Sequence, residues 1–460
     1  MAIACSPPRT PAPTARSAPA GPPDVATLPT TEPTPTAAPP TATPTIPVRN
    51  TPAALPTPSA TPTVRLRLAT NHAAVEVPWF EKVLDRFAER QPRAGVDLVN
   101  VPSGYLEQVP TWAADGALPD VLFVRPQHGA AWAYRKWLVS IDDLVARDAR
   151  EIDLGDFYPP QVEELKYQGA WLALPHDYSV YGIYLRADHL AEAGVDRPRD
   201  DWTWPDLLQL ARRLTRREGG QVLRWGFQWR PDYCAMPGIW YAEGGTFLDG
   251  DGRGVAVSTP ENVRATQWLA DLAEVEGVAP RVGDLSPGVS LFAGGRLSME
   301  ANGSWAAALY RGAAGEKARI DVAYLPRGAT GHLAAHSTGG AWAIGRGVRA
   351  RDLAWELVKH LSSRDSMELL VSLPVRNLPG RVSATNLWLE SLRAIGVPGH
   401  PEVFPKTAVN SYPLHPVPWW LDYEDAYDEL MPLVWSGRRR AADVLPELER
   451  RVNAAAARYR

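Results

Sequence analysis

The sequence predicts an α/β protein with at least two lobes, preceded by an unfolded N-terminal segment. Strand and helix patterns alternate from residue 64 onward, which is typical of the α/β class. The 460 residues exceed what one hydrophobic core usually supports, which indicates a second lobe. Residues 1–63 are rich in Pro and Thr and poor in large apolar side chains, so they cannot bury enough surface to fold and we expect a tether.

The first folded part alternates strands with a helix. The predicted strand, helix, strand and strand cover residues 63–70, 78–92, 95–101 and 118–126. Polar residues follow the last of these strands, namely Arg125, Gln127 and His128. Open α/β sheets bind ligands at the carboxyl ends of their strands, so these side chains are candidates for a binding site.

Later helices carry starting signals. Thr203 and Asp206 have capping-box spacing at the start of a helix over 201–215, and Ser258 and Glu261 repeat that spacing before a helix over 258–277. Further helices are predicted over 350–363 and over 426–459, the latter broken near Ser436-Gly437. Trp268 and Trp355 fall on apolar helix faces, and we expect both in the core.

The start of the chain, "MAIACSPP", indicates a lipid anchor at Cys5. Small residues before the cysteine and a disordered run after it are similar to the cleavage box of a bacterial lipoprotein, although no basic or apolar signal region precedes it here. The alternative is that Cys5 is an incidental tail residue. Lipidation would place the protein outside the cytoplasm, held to the membrane by its tether.

Charge and motifs exclude several function classes. A net charge of −4 and a pI near 6.2 give no general attraction to nucleic acid or to an anionic membrane surface. No phosphate-cradling GxxxxGK[ST] motif occurs, so we expect no ATPase. His332 and His336 have a helical metal spacing without acidic context, and we expect neither a metal site nor a cofactor.

The segment "MEANGSW" (299–305) predicts a ligand-facing indole. Asn302-Gly303 is a turn signal, so Trp305 is expected just past a tight corner, an unusual place for a core tryptophan. The alternative is that Trp305 starts a helix and packs inward.

An ordered set of motifs then identifies a family. The set comprises "LPDVLFV", "YQGAWLALP", "GIYLRADHLAEAGV", "WTWPDLLQLARRLT", "IWYAEGGTFLDGDG", "LFAGGRLSMEANGSW", "DVAYLPRG", "HSTGGAWAIGRG" and "AWELVKHLSS". In this order it resembles the extracellular solute-binding proteins of ABC importers, in the branch that binds maltose and other oligosaccharides. The resemblance covers essentially all of residues 64–460.

The resemblance implies a two-lobed periplasmic-binding-protein fold of type II, each lobe a central sheet flanked by helices, with a solute bound in the cleft. Lobe 1 would comprise 64–176 and 334–376, and lobe 2 would comprise 177–333 and 377–460. The crossing segments would lie near 175–179, 327–333 and 374–381. A monomer that delivers its solute to the transmembrane subunits of an ABC permease is expected.

The resemblance also implies the residues of the cleft. Carried over motif by motif, they are Asn71, His72, Arg125, Gln127, Tyr178, Ser179, Asp232, Tyr233, Trp240, Asn302, Trp305, Thr338, Gly339 and Trp419 or Trp420. Indoles suit the apolar face of a pyranose ring and planar polar groups suit its hydroxyls, so a carbohydrate is the expected solute. Gly303 would let the backbone approach that solute.

Three alternatives stay open. Arg125 suits a uronate or a phosphate, so a glycerol phosphate is possible instead of a neutral sugar. Asp422, Glu424 and Asp425 provide carboxylates for a secreted glycoside hydrolase, although such a run on a helix is usually a solvated face. The same fold also serves surface adhesins and signalling sensors that transport nothing.

Overall fold

The structure is a computed structural model that describes residues 63–229, 231–281, 290–315, 318–335, 337–372, 377–396 and 399–459. Cys5, residues 1–62 of the predicted tether, His336 and the first part of the predicted third crossing lie outside the described residues. Within these residues no helix is long and apolar enough to span a membrane.

The first part of the fold is a parallel sheet flanked by helices. Strands β1 (Val64–Thr70), β2 (Ala94–Asn100) and β3 (Val121–Val124) are parallel, with β1 in the centre. Helix α1 (Val77–Arg90) follows β1, as the apolar spacing of the sequence predicts, and buries Phe80, Val83 and Phe87. The carboxyl ends of the three strands therefore lie at one edge of the sheet.

The remaining elements of the first half alternate in the same way. They are α2 (Tyr105–Ala114), α3 (Pro126–Tyr134), α4 (Asp142–Arg147), α5 (Ala149–Ile152), α6 (Pro159–Glu164), β4 (Lys166–Tyr167), β5 (Ala170–Trp171), β6 (Ala173–Arg186), α7 (Ala187–Glu192), α8 (Trp204–Leu214), β7 (Arg216–Glu218) and β8 (Gln221–Gln228).

The second half contains α9 (Met236–Ala242), α10 (Pro260–Glu274), β9 (Leu297–Gly303), α11 (Ala306–Ala314), β10 (Ile320–Ala323), β11 (Ser337–Ile344), α12 (Arg351–Leu361), α13 (Arg364–Val371), β12 (Leu378–Pro379), α14 (Thr385–Ala394), α15 (Val403–Ala408), α16 (Trp420–Trp435) and α17 (Ala441–Ala456). The predicted break at Ser436-Gly437 falls between α16 and α17.

Strand β6 connects the two lobes. All 14 of its residues are buried, and the sheet order is β2-β1-β3-β11-β6-β9-β8-β7. The first part of β6 pairs with β11 and β12, and its second part pairs with β9 and β10. The central sheets of the two lobes are therefore joined into one ten-stranded sheet.

Two crossing segments meet β6 at its centre. Tyr178 and Asp177 pair with β11 on one side and with β12 on the other. Gly340 of β11 must be glycine, because a Cβ there would lie 2.1 Å from Cζ of Phe123. Residues 327–333, where the second crossing is expected, instead form a short hairpin closed by an Arg327–Leu333 bridge. The chain enters the first sheet at β11, a few residues later.

Separate hydrophobic cores support the two lobes. In lobe 1 alternate residues of one strand face opposite sides: Val121 and Phe123 pack with α1 and α12, whereas Leu122 packs with α2 and α3. The larger core of lobe 2 contains the second part of β6 together with α8, α9, α10, α16 and α17. These three clusters fall into two lobes, which is the lobe number that chain length predicts.

The helix caps differ in one case from the sequence prediction. Thr203 and Asp206 form the predicted capping box at α8, where Asp206 accepts hydrogen bonds from the Thr203 N–H and hydroxyl at 2.9 and 2.7 Å. At α10 the predicted Ser258 cap is wrong. Thr259 caps that helix, because the Ser258 hydroxyl is engaged by Glu449 at 2.7 Å.

The two tryptophans assigned to helix cores have different environments. Trp355 is fully buried and donates from Nε1 to Asp148 at 2.7 Å, as expected of a core residue. Trp268 is only half-buried and lines a cavity of lobe 2, so its assignment to the core is wrong in part.

Candidate functional site

A small pocket lies in lobe 2 directly beyond the crossing. It has a volume of about 230 Å³ and is lined by Tyr181, Gln228, Trp229, Asp232, Glu300, Ala301, Asn302 and Trp305. Strands β8 and β9 are parallel, so Gln228 and Asn302 reach the same edge of the sheet at their carboxyl ends. Three predicted site residues, Asp232, Asn302 and Trp305, are thus brought together with partners that were not predicted.

Trp305 is held in place by its neighbours. The predicted turn at Asn302-Gly303 is wrong, because both residues belong to β9 and pair with Gly182 and Tyr181. Trp305 follows two residues after Gly303 as the N-cap of α11, and 9% of its surface is exposed. It starts a helix, as the alternative prediction has it, and it also lines the pocket.

The lack of a side chain at Gly303 makes room for the Trp305 indole and not for a solute. A Cβ at Gly303 would lie 1.8 to 2.1 Å from three carbons of the Trp305 ring. The expectation that Gly303 admits a solute to the backbone is therefore wrong, because Trp305 occupies that space. Tyr181 packs edge-on against the same indole, with 5.3 Å between ring centroids. The indole is confined from two sides.

Asp232 is fixed by donors from its own loop and from β6. Its carboxylate accepts from the Tyr181 hydroxyl at 3.0 Å and from the N–H groups of Cys234 and Ala235 at 3.0 and 2.8 Å. Burial raises the pKa of Asp232, and these hydrogen bonds oppose that rise. The carboxylate is therefore positioned before any solute arrives.

Glu300 is a second carboxyl group in the pocket. It lies two residues before Asn302, on the same face of β9. Burial raises its pKa to about 7, opposed by a hydrogen bond with Tyr310, whose hydroxyl also accepts from Asn302 Nδ2 at 2.6 Å. Glu300 therefore stays near the boundary between its neutral and ionised forms at neutral pH.

Residues of lobe 1 face this side of lobe 2. The amide of Gln127 lies 3.7 Å from the sulfur of Cys234, and His128 Nε2 lies 3.3 Å from Glu424 of α16. Burial raises the pKa of Tyr181 and Tyr233, and the positive charge of Arg125 opposes both rises. Arg125 and Gln127 therefore lie close to the lobe 2 residues of the cleft.

Glu424 was predicted to lie on a solvated helix face, and that prediction is wrong. Its side chain is 12% exposed and receives hydrogen bonds from His128 and Tyr233. Burial alone would raise the pKa of Glu424, but these bonds and the nearby charges lower it. Asp422 of the same run is engaged by Arg458 and Tyr459.

Four predicted aromatic ligand residues belong to cores, and their assignment to the cleft is wrong. Trp240 is fully buried, donates to Thr266 Oγ1 at 3.0 Å and stacks on Phe247. Trp419 and Trp420 are 2% and 0% exposed and pack on the same phenyl ring. Tyr178 is fully buried, stacks on Tyr158 and shares a hydrogen bond with Ser411. None of these rings lines the pocket.

The other predicted residues lie around the crossing. Ser179 and Thr338 pair within the sheet and are 3% and 5% exposed, and Gly339 is half-buried beside them. His72 is buried in an aromatic cluster, with its ring stacked 5.9 Å from that of Trp342, which does not suit a ligand-binding role. Asn71 is half-buried after β1, and Tyr233 is 1% exposed and bonded to Glu424.

The residues that sequence analysis missed are Tyr181, Gln228, Trp229 and Glu300. Two signals were available. "RWGFQWR" alternates as a strand and ends in polar and aromatic residues, and Glu300 stands at the i−2 position of Asn302, on the same strand face.

Part of the chain is similar in sequence to curated proteins. A lactose-binding protein of Rhizobium radiobacter is 25% identical over 149 residues, which are 31% of this chain and 34% of that protein. The chain spans about a third of the length of the curated relatives it matches.

Two solved structures show the fold. An ABC substrate-binding protein of Listeria monocytogenes, in complex with cycloalternan, has a TM-score of 0.75 at 18% identity, covering 85% of this chain and 99% of that one. UgpB of Mycobacterium tuberculosis, in complex with glycerophosphocholine, has a TM-score of 0.72 at 17% identity, with 86% and 99% covered. The expected two-lobed, type II binding-protein fold is thereby confirmed.

The family follows from a direct match. The model described as bacterial extracellular solute-binding protein matches residues 73–368, which is more than half of the 460 residues. The match includes β6, β8, β9 and β11, which contribute to the crossing and to the pocket. The chain belongs to the family of bacterial extracellular solute-binding proteins.

Proposed function

We propose that the protein captures a carbohydrate, most simply an oligosaccharide, in the cleft between its lobes and delivers it to an ABC permease without covalent chemistry. The observation that carries this proposal is the pocket of lobe 2. It combines two indoles, Trp229 and Trp305, with the carboxyl groups of Asp232 and Glu300 and the amide of Asn302. Stacking faces beside fixed hydrogen-bonding groups suit a pyranose ring.

Binding would begin at lobe 2 and end with closure. The pocket residues are fixed by their own hydrogen bonds and packing, so a sugar can bind to lobe 2 first. Lobe 1 would then bring Arg125 and Gln127 toward the solute by bending at the centre of β6. A solute that contacts both lobes stabilises the closed form, because only that form makes both sets of contacts.

A glycerol phosphate is the weaker alternative. Arg125 suits a phosphate, and a structurally similar protein is described in complex with glycerophosphocholine. However, Asp232 and Glu300 line the lobe 2 pocket, and carboxylates repel an anionic group. A neutral sugar avoids that repulsion and can donate its hydroxyl protons to both carboxyl groups.

Hydrolysis is also disfavoured by the geometry of the carboxylates. A glycosidase needs two carboxyl groups free to act on the bond, and of Asp232, Glu300 and Glu424 the first accepts three hydrogen bonds from protein donors and the last accepts two. We infer that the solute leaves the cleft intact, and product analysis after incubation tests this point directly.

The test of function is calorimetric titration of the full chain with mono- and oligosaccharides, uronates and glycerol phosphates. Replacing Trp305 by Ala is expected to weaken carbohydrate binding about tenfold or more, because it removes the stacking face. Trp305→Phe should restore part of the affinity. Trp137→Ala is the control, because that half-buried indole lies in lobe 1 beneath Arg135. Normal affinity in Trp305→Ala would refute the assignment.

Anchoring is a separate proposal. We propose that Cys5 carries a lipid. The Pro/Thr-rich segment would then tether the two lobes outside the cytoplasm, where the protein acts as a monomer. Mass spectrometry of the chain recovered from bacterial membranes should find a diacylglycerol at Cys5. An unmodified Cys5 in a membrane-free protein would contradict it.

A further inference from the structure

A second cavity lies in lobe 2, beside the candidate site. It is formed by the first turn of α8, by α9 and α10 and by the 327–329 loop, and its volume is about 460 Å³. Its walls include Trp204, Ile239, Glu243, Trp268 and Leu269. The sugar proposal above makes no use of this space.

The two cavities share an aromatic wall. Trp204 of the second cavity stacks on Trp229 of the candidate site, with 6.1 Å between ring centroids and 19° between ring planes. Trp268 then packs edge-on against Trp204 at 5.3 Å. Because Trp268 is half-buried, part of its indole remains accessible within the cavity.

Two buried polar atoms of this cavity lack hydrogen bonds among the described residues. They are Nε1 of Trp204, a donor, and Oε1 of Glu243, an acceptor. Trp204 is 7% exposed. Burial raises the pKa of Glu243, and hydrogen bonding from the Ala329 backbone and from the Trp204 side chain opposes this rise, while Oε1 itself stays without a hydrogen bond of good geometry. Unpaired buried groups of this kind are unfavourable, so a ligand that pairs with them gains affinity.

The hydrogen-bonding roles of these two atoms indicate which class of ligand would bind. A hydroxyl group accepts one hydrogen bond and donates another, so one hydroxyl can satisfy both Trp204 Nε1 and Glu243 Oε1. A purely apolar ligand would leave both atoms unpaired, and an anion would meet the Glu243 carboxylate. We propose that this cavity is a second carbohydrate-binding site, which holds a neutral saccharide ring against Trp268 and Trp204.

The rim of the cavity agrees with a neutral ligand. Arg264 is paired with Glu261 at 3.0 Å, and Arg327 donates to the carbonyl of Gly331 at 2.7 Å. Both guanidinium groups are therefore already engaged. A neutral hydroxylated ring fits these walls without needing either arginine.

The test uses saturation-transfer NMR of the full chain with maltose, cellobiose and lactose as probes. In Trp305→Ala, which weakens binding at the first pocket about tenfold or more, a disaccharide signal should persist. Adding Trp268→Ala or, with less change in packing, Glu243→Met to that background should reduce the remaining signal about fivefold or more. Trp137→Ala in the same background is the matched control and should leave the signal unchanged.

The outcomes separate this site from the proposed function. Loss of all binding in Trp305→Ala alone would overturn the second site and leave the first intact. A residual signal that survives both Trp268→Ala and Glu243→Met would also overturn it. If Trp305→Ala changes nothing while Trp268→Ala abolishes binding, the second site stands and the cleft assignment fails. Absence of any disaccharide signal in the unaltered chain overturns the second site.

Discussion

At the residue scale, Gly303 controls the position of Trp305. A methyl group at Gly303 would overlap the indole, so Gly303→Ala should displace Trp305, weaken carbohydrate binding about tenfold and cost about 1 to 3 kcal/mol of stability. Titration calorimetry and chemical denaturation measure the two effects. Gly312→Ala in α11 is the control, because a Cβ there meets nothing within 4 Å. Its stability should rise by about 0.5 to 1 kcal/mol. Wild-type binding by Gly303→Ala would contradict this prediction.

The raised pKa of Glu300 leads us to expect that the free energy of unfolding depends on pH. Its folded-state pKa of about 7 exceeds the ordinary 4.5, because burial disfavours the charge. The folded state therefore holds this proton more tightly than the unfolded state, and stability should fall as pH rises from about 4.5 to 7. At most about 3 kcal/mol is involved. Glu300→Gln should flatten that decline in denaturation curves measured across this range.

The control for Glu300 is another glutamate with the opposite shift. A hydrogen bond from Arg451 lowers the pKa of Glu429, so Glu429→Gln should leave the decline between pH 4.5 and 7 in place. Parallel pH profiles for Glu300→Gln and the unaltered chain would show that Glu300 titrates normally.

The residue scale is also where sequence analysis was least accurate. Trp305 and Trp419 are both indoles near helix starts, yet one lines the pocket and the other packs on Phe247. That difference depends on neighbours far away in sequence. Local turn signals carry no information on such neighbours, which is why Trp229 and Glu300 were missed and Trp240 was wrongly included.

At the scale of elements, α3 and α16 form a contact between the lobes. Glu424 of α16 accepts hydrogen bonds from His128 of α3 and from Tyr233. Glu424→Gln should weaken this contact and favour a more open form, with a larger radius of gyration in small-angle X-ray scattering without solute. Glu429→Gln on the same helix is the control, because its partner Arg451 belongs to α17. An unchanged radius in Glu424→Gln would contradict a role in closure.

Helices were predicted correctly where a single local sequence signal determines them. The periodicity of α1 and the capping box of α8 needed no distant partner. At α10 the Ser258 cap failed because Glu449, far along the chain, binds that hydroxyl. Strand β8 was not predicted, although its carboxyl end supplies Gln228 to the pocket.

At the scale of the whole molecule, the order of motifs predicted the two-lobed fold that the similar structures show. It placed a crossing near 175–179, but it could not predict that one strand, β6, is shared by both sheets, because that pairing depends on four strands distant in sequence. The approach of β11 at Gly340, against Phe123 and Asp177, is one such tertiary contact.

Binding and closure of the whole molecule make a joint prediction. A carbohydrate at about 100 times its Kd should stabilise the folded state by about 2.7 kcal/mol, so Tm should rise with the logarithm of concentration. Bending at β6 should also shrink the radius of gyration in the same samples. Trp305→Ala should shift both responses to higher concentrations. A rise in Tm without contraction would mean that the solute binds to lobe 2 alone, and hinge closure would then be refuted while binding stands.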